Sequence, residues 1–111
     1  MARKKFDTLS EQMHYVLLAL QNERCGTEIA QEVKEISHQR IQLGPGTLYT
    51  ILSQFEEAGI IAETKVEGRK RSYLITVQGS QLLNNEFQRL QQMIKDTQDA
   101  MSGKEENEKE I

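Results

Sequence analysis

The sequence predicts a mainly α-helical protein of the α+β class, on three observations. Apolar residues recur at helical spacing in three short stretches before residue 58, two β-branched segments follow between residues 60 and 76, and one long heptad-like stripe occupies much of the remainder. A chain of 111 residues buries only about 65% of its unfolded surface on folding, which fits one small domain and excludes a two-domain enzyme. With no Trp, 5% aromatic and 37% hydrophobic residues against 28% charged, the core must be thin and aliphatic, and such a core wants a partner.

Thr8-Leu9-Ser10-Glu11 reads as a capping box with Thr8 at the cap, ahead of Met13, Val16, Leu17 and Leu20 on one face of a first helix ending near Gln21. Cys25-Gly26-Thr27 interrupts the pattern. Ile29, Ala30, Val33 and Ile36 then trace the apolar face of a second helix, with Glu28, Glu32, Lys34 and Glu35 solvated, and the pattern fades between Ser37 and Gln42. Gly44-Pro45-Gly46-Thr47 combines a turn with a helix start, because proline suits an early helical position and Thr47 can cap. In the third helix, Leu48, Ile51, Leu52 and Phe55 lie within about 100° on a helical wheel. Gly59 stands where a left-handed residue would end that helix.

From Ile60 the period changes. Residues 60–66 and 71–76 read as a two-stranded hairpin joined through Glu67-Gly68-Arg69-Lys70, and Thr76 can cap a final helix. There Leu83, Phe87, Leu90, Ile94, Thr97 and Met101 alternate gaps of four and three, the spacing of a coiled-coil seam. A helix over residues 77–101 is about 38 Å long, more than the other elements can cover, so its outer half is expected to meet another chain. Residues 103–111 carry four Glu against two Lys and one apolar residue, which predicts a disordered acidic tail.

Three helices, a hairpin and a further helix follow the order of a winged helix-turn-helix domain with a two-stranded β wing. The local sequence is more specific: Leu43-Gly44-Pro45-Gly46-Thr47-Leu48-Tyr49, Gly59-Ile60-Ile61, Glu67-Gly68-Arg69-Lys70-Arg71-Ser72-Tyr73, then Thr76 and Gly79. Together these motifs resemble the PadR family of bacterial transcriptional regulators, over about residues 9–79. The resemblance implies a DNA-binding repressor that is a homodimer. The single C-terminal helix looks like the small PadR subgroup, in which the first and last helices form the dimer. The implied organisation is a DNA-binding domain over residues 1–76, a dimerisation helix over 77–102 and the tail over 103–111. Cys25-Gly26-Thr27 departs from the His-Gly-Tyr common in the family, and Thr50 stands where Pro is frequent.

The residues themselves point to DNA in two places. The third helix offers Thr47, Tyr49, Thr50, Ser53 and Gln54, with Glu56 and Glu57 kept to its far end; this suits an approach to DNA by its N-terminal half, where the helix dipole also favours phosphate. The plain alternative is an amphipathic helix with a solvated polar face. Residues 65–71 hold four basic residues and one acidic, with Arg69, Lys70 and Arg71 at the expected hairpin tip, where long cations reach a minor groove or backbone. A charged edge strand that blocks aggregation is the alternative there. Arg3, Lys4 and Lys5 fit a DNA-contacting arm and a disordered start equally well. Tyr49 carries the family resemblance and is preferred over Tyr73 for DNA. Cys25 reads as a small buried residue ahead of a redox sensor.

Other functions find little support. His14 and His38 fall on different helical segments, no glycine-rich phosphate loop follows a strand, and no metal-ligand spacing occurs, so neither an enzyme nor a cofactor is expected. One cysteine fits a reducing compartment, no apolar run spans a bilayer, and Met1-Ala2-Arg3-Lys4-Lys5 precedes no secretory core, so a cytoplasmic protein without membrane contact is expected. Partners are double-stranded operator DNA, a second copy, and a small-molecule effector. The dimer interface or ligand pocket is expected around Met13, Leu17 and Leu20 of the first helix and Leu83, Phe87, Leu90 and Ile94 of the last. The net charge of −3 leaves a second class open, a helical dimer that binds small molecules or proteins without DNA. The charge is uneven, however: residues 65–71 alone carry +3 and residues 103–111 carry −2.

Overall fold

The computed structural model describes residues 8–110. The elements are α1 (Glu11–Ala19), β1 (Arg24–Cys25), α2 (Gly26–Ile36), α3 (Pro45–Glu57), β2 (Ile61–Glu67), β3 (Lys70–Ile75) and α4 (Val77–Glu110). The cap of α1 is Ser10, two residues later than the expected Thr8; its hydroxyl accepts the Met13 N–H at 3.2 Å. The reason lies upstream, where Leu9 is buried and its N–H is drawn to Glu86 on α4, so the chain turns into the helix only after it. At the other end Arg24 Nε donates to the Ala19 carbonyl at 2.8 Å, satisfying an acceptor the helix leaves open.

Arg24 and Cys25 form a strand that the sequence pattern did not show. They pair antiparallel with Tyr73 and Ser72, so the expected two-stranded wing of β2 and β3 is extended to a three-stranded sheet of order β1-β3-β2. Two residues are too few for any periodicity, and neither is β-branched. The α2–α3 connection is built on Ser37, which is buried; its hydroxyl donates to the Lys34 carbonyl and accepts the Ile41 N–H. That anchoring holds His38 and Gln39 at φ 54° and 70°, a left-handed conformation that costs a residue bearing a Cβ about 1 to 2 kcal/mol.

Gly44 is the cap of α3 and Pro45 its first residue, so Thr47 falls inside the helix and does not cap it. Leu48, Ile51, Leu52 and Phe55 are all buried, as the helical wheel requires, against Val16, Leu17, Leu20, Ile29, Val33, Ile60 and Ile61. The helix closes with Gly59 at φ 76°, its N–H on the Glu56 carbonyl and that of Ile60 on the Phe55 carbonyl, a Schellman pair. In the hairpin, Glu67 opposes Lys70, leaving Gly68-Arg69 as a two-residue loop with positive φ at Gly68 only, the pattern of a type II′ turn. A β-bulge between Glu63 and Lys65 places Val66 opposite Arg71. Without it, Lys65 would face Arg71 directly, a repulsive pair.

Thr76 caps α4 as expected: its hydroxyl accepts the Gly79 N–H at 3.1 Å and shares its proton between the Gly59 and Ile60 carbonyls at 2.7 and 2.9 Å. A Cβ on Gly79 would collide with the Ile60 carbonyl oxygen, so only glycine lets α4 start this close to the sheet. Further along, Glu86 is buried although charged. It accepts the Leu9 N–H at 2.7 Å and both Nε and Nη2 of Arg89 at 2.6 and 3.0 Å. The Arg89 bond above all, and the Leu9 N–H after it, hold this carboxyl below its ordinary range against the opposing effect of burial. The helix runs on to Glu110, past the expected boundary at 102, so residues 103–110 are helical where an irregular tail was expected. Glu and Lys are good helix formers, and Gly103 alone does not stop a helix already formed. The molecule is elongated in consequence, with a radius of gyration of 17.7 Å where a compact chain of this length would have about 13 Å.

Replacing Gly79 with Ala should lower the unfolding free energy by about 1 to 3 kcal/mol, the range for forcing atoms into a packed site. Gly103→Ala, at a position with open space around it, should leave stability unchanged or raise it by up to about 1 kcal/mol; urea titration of both variants checks the contrast. Glu86→Gln should cost about 1.5 to 3 kcal/mol at pH 7. Because the folded carboxyl lies below its ordinary value of 4.5, its contribution is present above that value and lost as pH falls through the folded one. The two stability curves should therefore stay apart from pH 6 to 8 and draw together only in acid, as pH falls below the ordinary carboxylate range and through the lowered folded value.

Candidate nucleic-acid interface

The start of α2, the outer face of α3 and the hairpin tip converge on one side of the domain. Between them lies a hollow of about 500 Å³ lined by Cys25, Gly26, Thr27, Glu28, Tyr49, Arg69, Lys70 and Arg71. Four of the expected DNA-facing residues, Tyr49, Arg69, Lys70 and Arg71, therefore meet around one concavity. Tyr49 projects from α3 over the first turn of α2, where its hydroxyl would be 2.7 Å from a Cβ on Gly26, so glycine at that position makes room for the ring. The other expected residues of α3 do not line the hollow. Thr47, Thr50 and Ser53 are exposed on the same helix and Gln54 is half-buried. Thr50 directs its hydroxyl proton to the Gly46 carbonyl at 2.9 Å, which leaves its lone pairs outward. Tyr73 is buried behind the sheet, and burial first, then Glu56 and Glu63, pushes its phenol above the ordinary range. It is a packing residue. Arg3, Lys4 and Lys5 lie outside the described residues.

Thr27 and Glu28 were not foreseen as part of this surface. Their signal was present: Cys25-Gly26-Thr27-Glu28 has the spacing of a capping box, disguised by cysteine in the cap position. The Cys25 N–H donates to Glu28 Oε1 at 2.8 Å and the Cys25 sulfur lies 3.4 Å from the Thr27 hydroxyl. Those bonds from Cys25 hold the Glu28 carboxyl below its usual range, with Lys70 and Arg24 adding to the effect. The hollow is thus lined by three cations and one carboxylate.

The wing's charges are partly answered within the wing. Arg71 Nη1 lies 3.3 Å from Glu63 Oε2 and Lys65 Nζ 3.3 Å from Glu67 Oε1. Among the described residues Arg69 and Lys70 make no such ion pair, and both stand exposed at the tip.

A second region separates α1 from α4. A cleft of about 300 Å³ is lined by His14, Leu18, Gln21, Ser80, Leu83, Asn84 and Phe87. Of the residues expected at an interface or ligand pocket, Leu83 and Phe87 are there, and Leu90 and Ile94 line a further apolar hollow of about 430 Å³ along α4 with Met93, Thr97 and Gln98. Met13 is half-buried against the core. Leu17 and Leu20 are corrected: both are fully buried inside the domain and present nothing to a partner or ligand. Two apolar stripes share this short helix, and Leu18, one residue along, faces the cleft instead. No group of three His, Cys, Asp or Glu suited to a metal ion occurs among the described residues, and no described helix is long and apolar enough to cross a membrane.

A helix-turn-helix with its third helix exposed beside a cationic wing is the arrangement of a winged helix-turn-helix protein. The chain belongs to the PadR-like family of transcriptional regulators, whose family model matches residues 16–85. In structure it is similar to a transcriptional regulator from Clostridium thermocellum (19% identity, TM-score 0.67, covering 80% of this chain and 90% of that one). It is also similar to RosR from H. salinarum (18% identity, TM-score 0.61, covering 85% and 97%). The circadian clock associated protein Pex from Anabaena shares 25% identity at a TM-score of 0.53, covering 78% and 79%. The first two likenesses are of fold alone. No curated relative matches the sequence.

Proposed function

We propose that the protein is a homodimeric transcriptional repressor that binds an inverted-repeat operator, each subunit placing α3 in one of two successive major grooves about 34 Å apart, with the wings flanking them. The observation that carries this reading is the convergence of Tyr49, Arg69, Lys70 and Arg71 around one hollow beside the exposed face of α3. Hydroxyls and an amide on α3 supply groups for phosphate oxygens and base edges, and the cations at the wing tip supply the sequence-independent attraction. The second copy is supported by α4, where Phe87, Met93, Ile94 and Met101 are each half or more exposed along one helix. The cleft between α1 and α4 lies at the small end of the range for ligand sites and pairs Leu18, Leu83 and Phe87 with His14, Gln21, Ser80 and Asn84; it is the proposed effector site.

A gel shift on the DNA upstream of the protein's own coding sequence should show a complex that weakens steeply with salt. Arg69→Ala combined with Lys70→Ala should weaken binding and reduce the slope of log K against log salt by nearly 2 per subunit. No retarded species on any genomic fragment at low salt would sink the DNA-binding reading. Sedimentation tests the dimer: Phe87→Asp and Leu90→Asp place charges in the proposed seam and should each yield monomers. A variant pair that stays dimeric removes α4 from the interface.

A further inference from the structure

We propose that Glu63 is an internal stand-in for phosphate that latches Arg71 in the free protein and must release it when DNA docks; this rests on the DNA-binding reading above. The wing divides its cations into two sets. Arg69 and Lys70 at the tip have no ion-pair partner among the described residues, whereas Arg71, nearer the body of the domain, holds its Nη1 3.3 Å from Glu63 Oε2. The pairing is built into the sheet. Glu63 opposes Tyr73, so Arg71, two residues back along β3, is its diagonal neighbour on one face, within reach of a long side chain. The bulge after Glu63 takes Lys65 out of register with Arg71, which leaves Glu63 as the group that answers this guanidinium.

Arg71 also lines the hollow, with Tyr49, Lys70 and Glu28. It cannot bond Glu63 and a DNA phosphate with the same N–H group, and a carboxylate and a phosphate present comparable oxygens to it. The Glu63 side chain is about one-quarter exposed while that of Arg71 is nearly two-thirds exposed, so the carboxylate is held by the sheet and the cation is the member able to move. The tip cations make the first contact without rearrangement. Arg71 follows only when the wing is close enough for a phosphate to compete with Glu63, and opening the latch subtracts from the affinity of the final complex.

The test is a double-mutant cycle on DNA affinity with the full chain, using its own upstream duplex and a random duplex. Glu63→Gln should tighten binding about threefold, the scale of a partly exposed ion pair, and should have no effect when Arg71 is already Ala. Glu63→Ala should act in the same direction, and matching thermal melts establish that each variant is folded. The latch is overturned if Glu63→Gln leaves affinity unchanged, if it weakens binding (Glu63 then positions Arg71 for DNA), or if the gain persists with Arg71→Ala, as for a simple through-space charge. A wild-type chain that binds neither duplex defeats the DNA-binding reading and the latch with it. A wild-type chain that binds, with Glu63→Gln indistinguishable from it, defeats the latch alone.

Discussion

One peptide group, between Ile60 and Ile61, fixes how the parts of this molecule are set against one another. Gly59 turns the chain out of α3 with positive φ, and the Ile60 carbonyl then accepts both the Thr76 N–H at 3.0 Å and the Thr76 hydroxyl, while the bare Cα of Gly79 passes directly over it. The end of α3, the root of the wing and the first turn of α4 share this point, and Gln78 adds a bond to the Ala58 carbonyl. None of these contacts tolerates an extra atom or a lost donor easily, because each acceptor is a backbone carbonyl held in place by the chain. The end of α3, the wing and the long helix are therefore tied together at one point of the backbone. In the proposed dimer, a change in the angle at which two α4 helices cross would be carried to the α3 helices without any change inside either domain.

Electrostatics divide along the same line. The chain is acidic overall, yet residues 65–71 hold four of its fourteen Lys and Arg against one carboxylate. The exposed pairs, Arg71 with Glu63 and Lys65 with Glu67, are weak in free energy and exchangeable, which suits a surface that must trade partners. Glu86 behaves in the opposite way. Its carboxylate is buried and bonded by Arg89 and the Leu9 N–H, so removing either partner would strand a charge away from water. The strong ionic contact thus sits where the chain ahead of α1 meets α4, and the weak ones sit where a ligand of like chemistry is proposed to bind.

Much of this was legible in the sequence because periodicity reports burial directly. Leu48, Ile51, Leu52 and Phe55 define the inner face of α3, and Gly59, Gly68 and Thr76 sit where a left-handed residue, a hairpin turn and a helix cap are required. What escaped has physical reasons. β1 is held by pairing with β3, a long-range contact that two residues cannot signal. Glu86 drew no reading from the sequence, since its burial depends on Leu9 from far along the chain as well as on Arg89 three residues on. Ser10 rather than Thr8 caps α1 because tertiary contact at Leu9 decides where the helix begins. Leu17 and Leu20 were placed at an interface since spacing identifies a stripe but not which of two neighbouring surfaces it meets. Of the hollow, the wing and Tyr49 were foreseen, whereas Thr27 and Glu28 needed the fold to bring the start of α2 beside them.

The long helix raises a final point about stability. α4 has 34 residues, about 51 Å at 1.5 Å per residue, and the domain packs against its first turns through Gly79, Leu82, Leu83 and Glu86. Beyond Leu90 the described side chains are exposed as far as Ser102. A helix segment of that size gains little from intrinsic propensity in water, where most helical stability comes from tertiary packing of an apolar face. Met93, Ile94 and Met101 supply such a face and the domain does not cover it. In the proposed dimer, the order of the outer half of α4 and the association of two chains are then a single equilibrium. Anything that alters one, including an effector lodged beside Phe87 at the inner end of the seam, must alter the other.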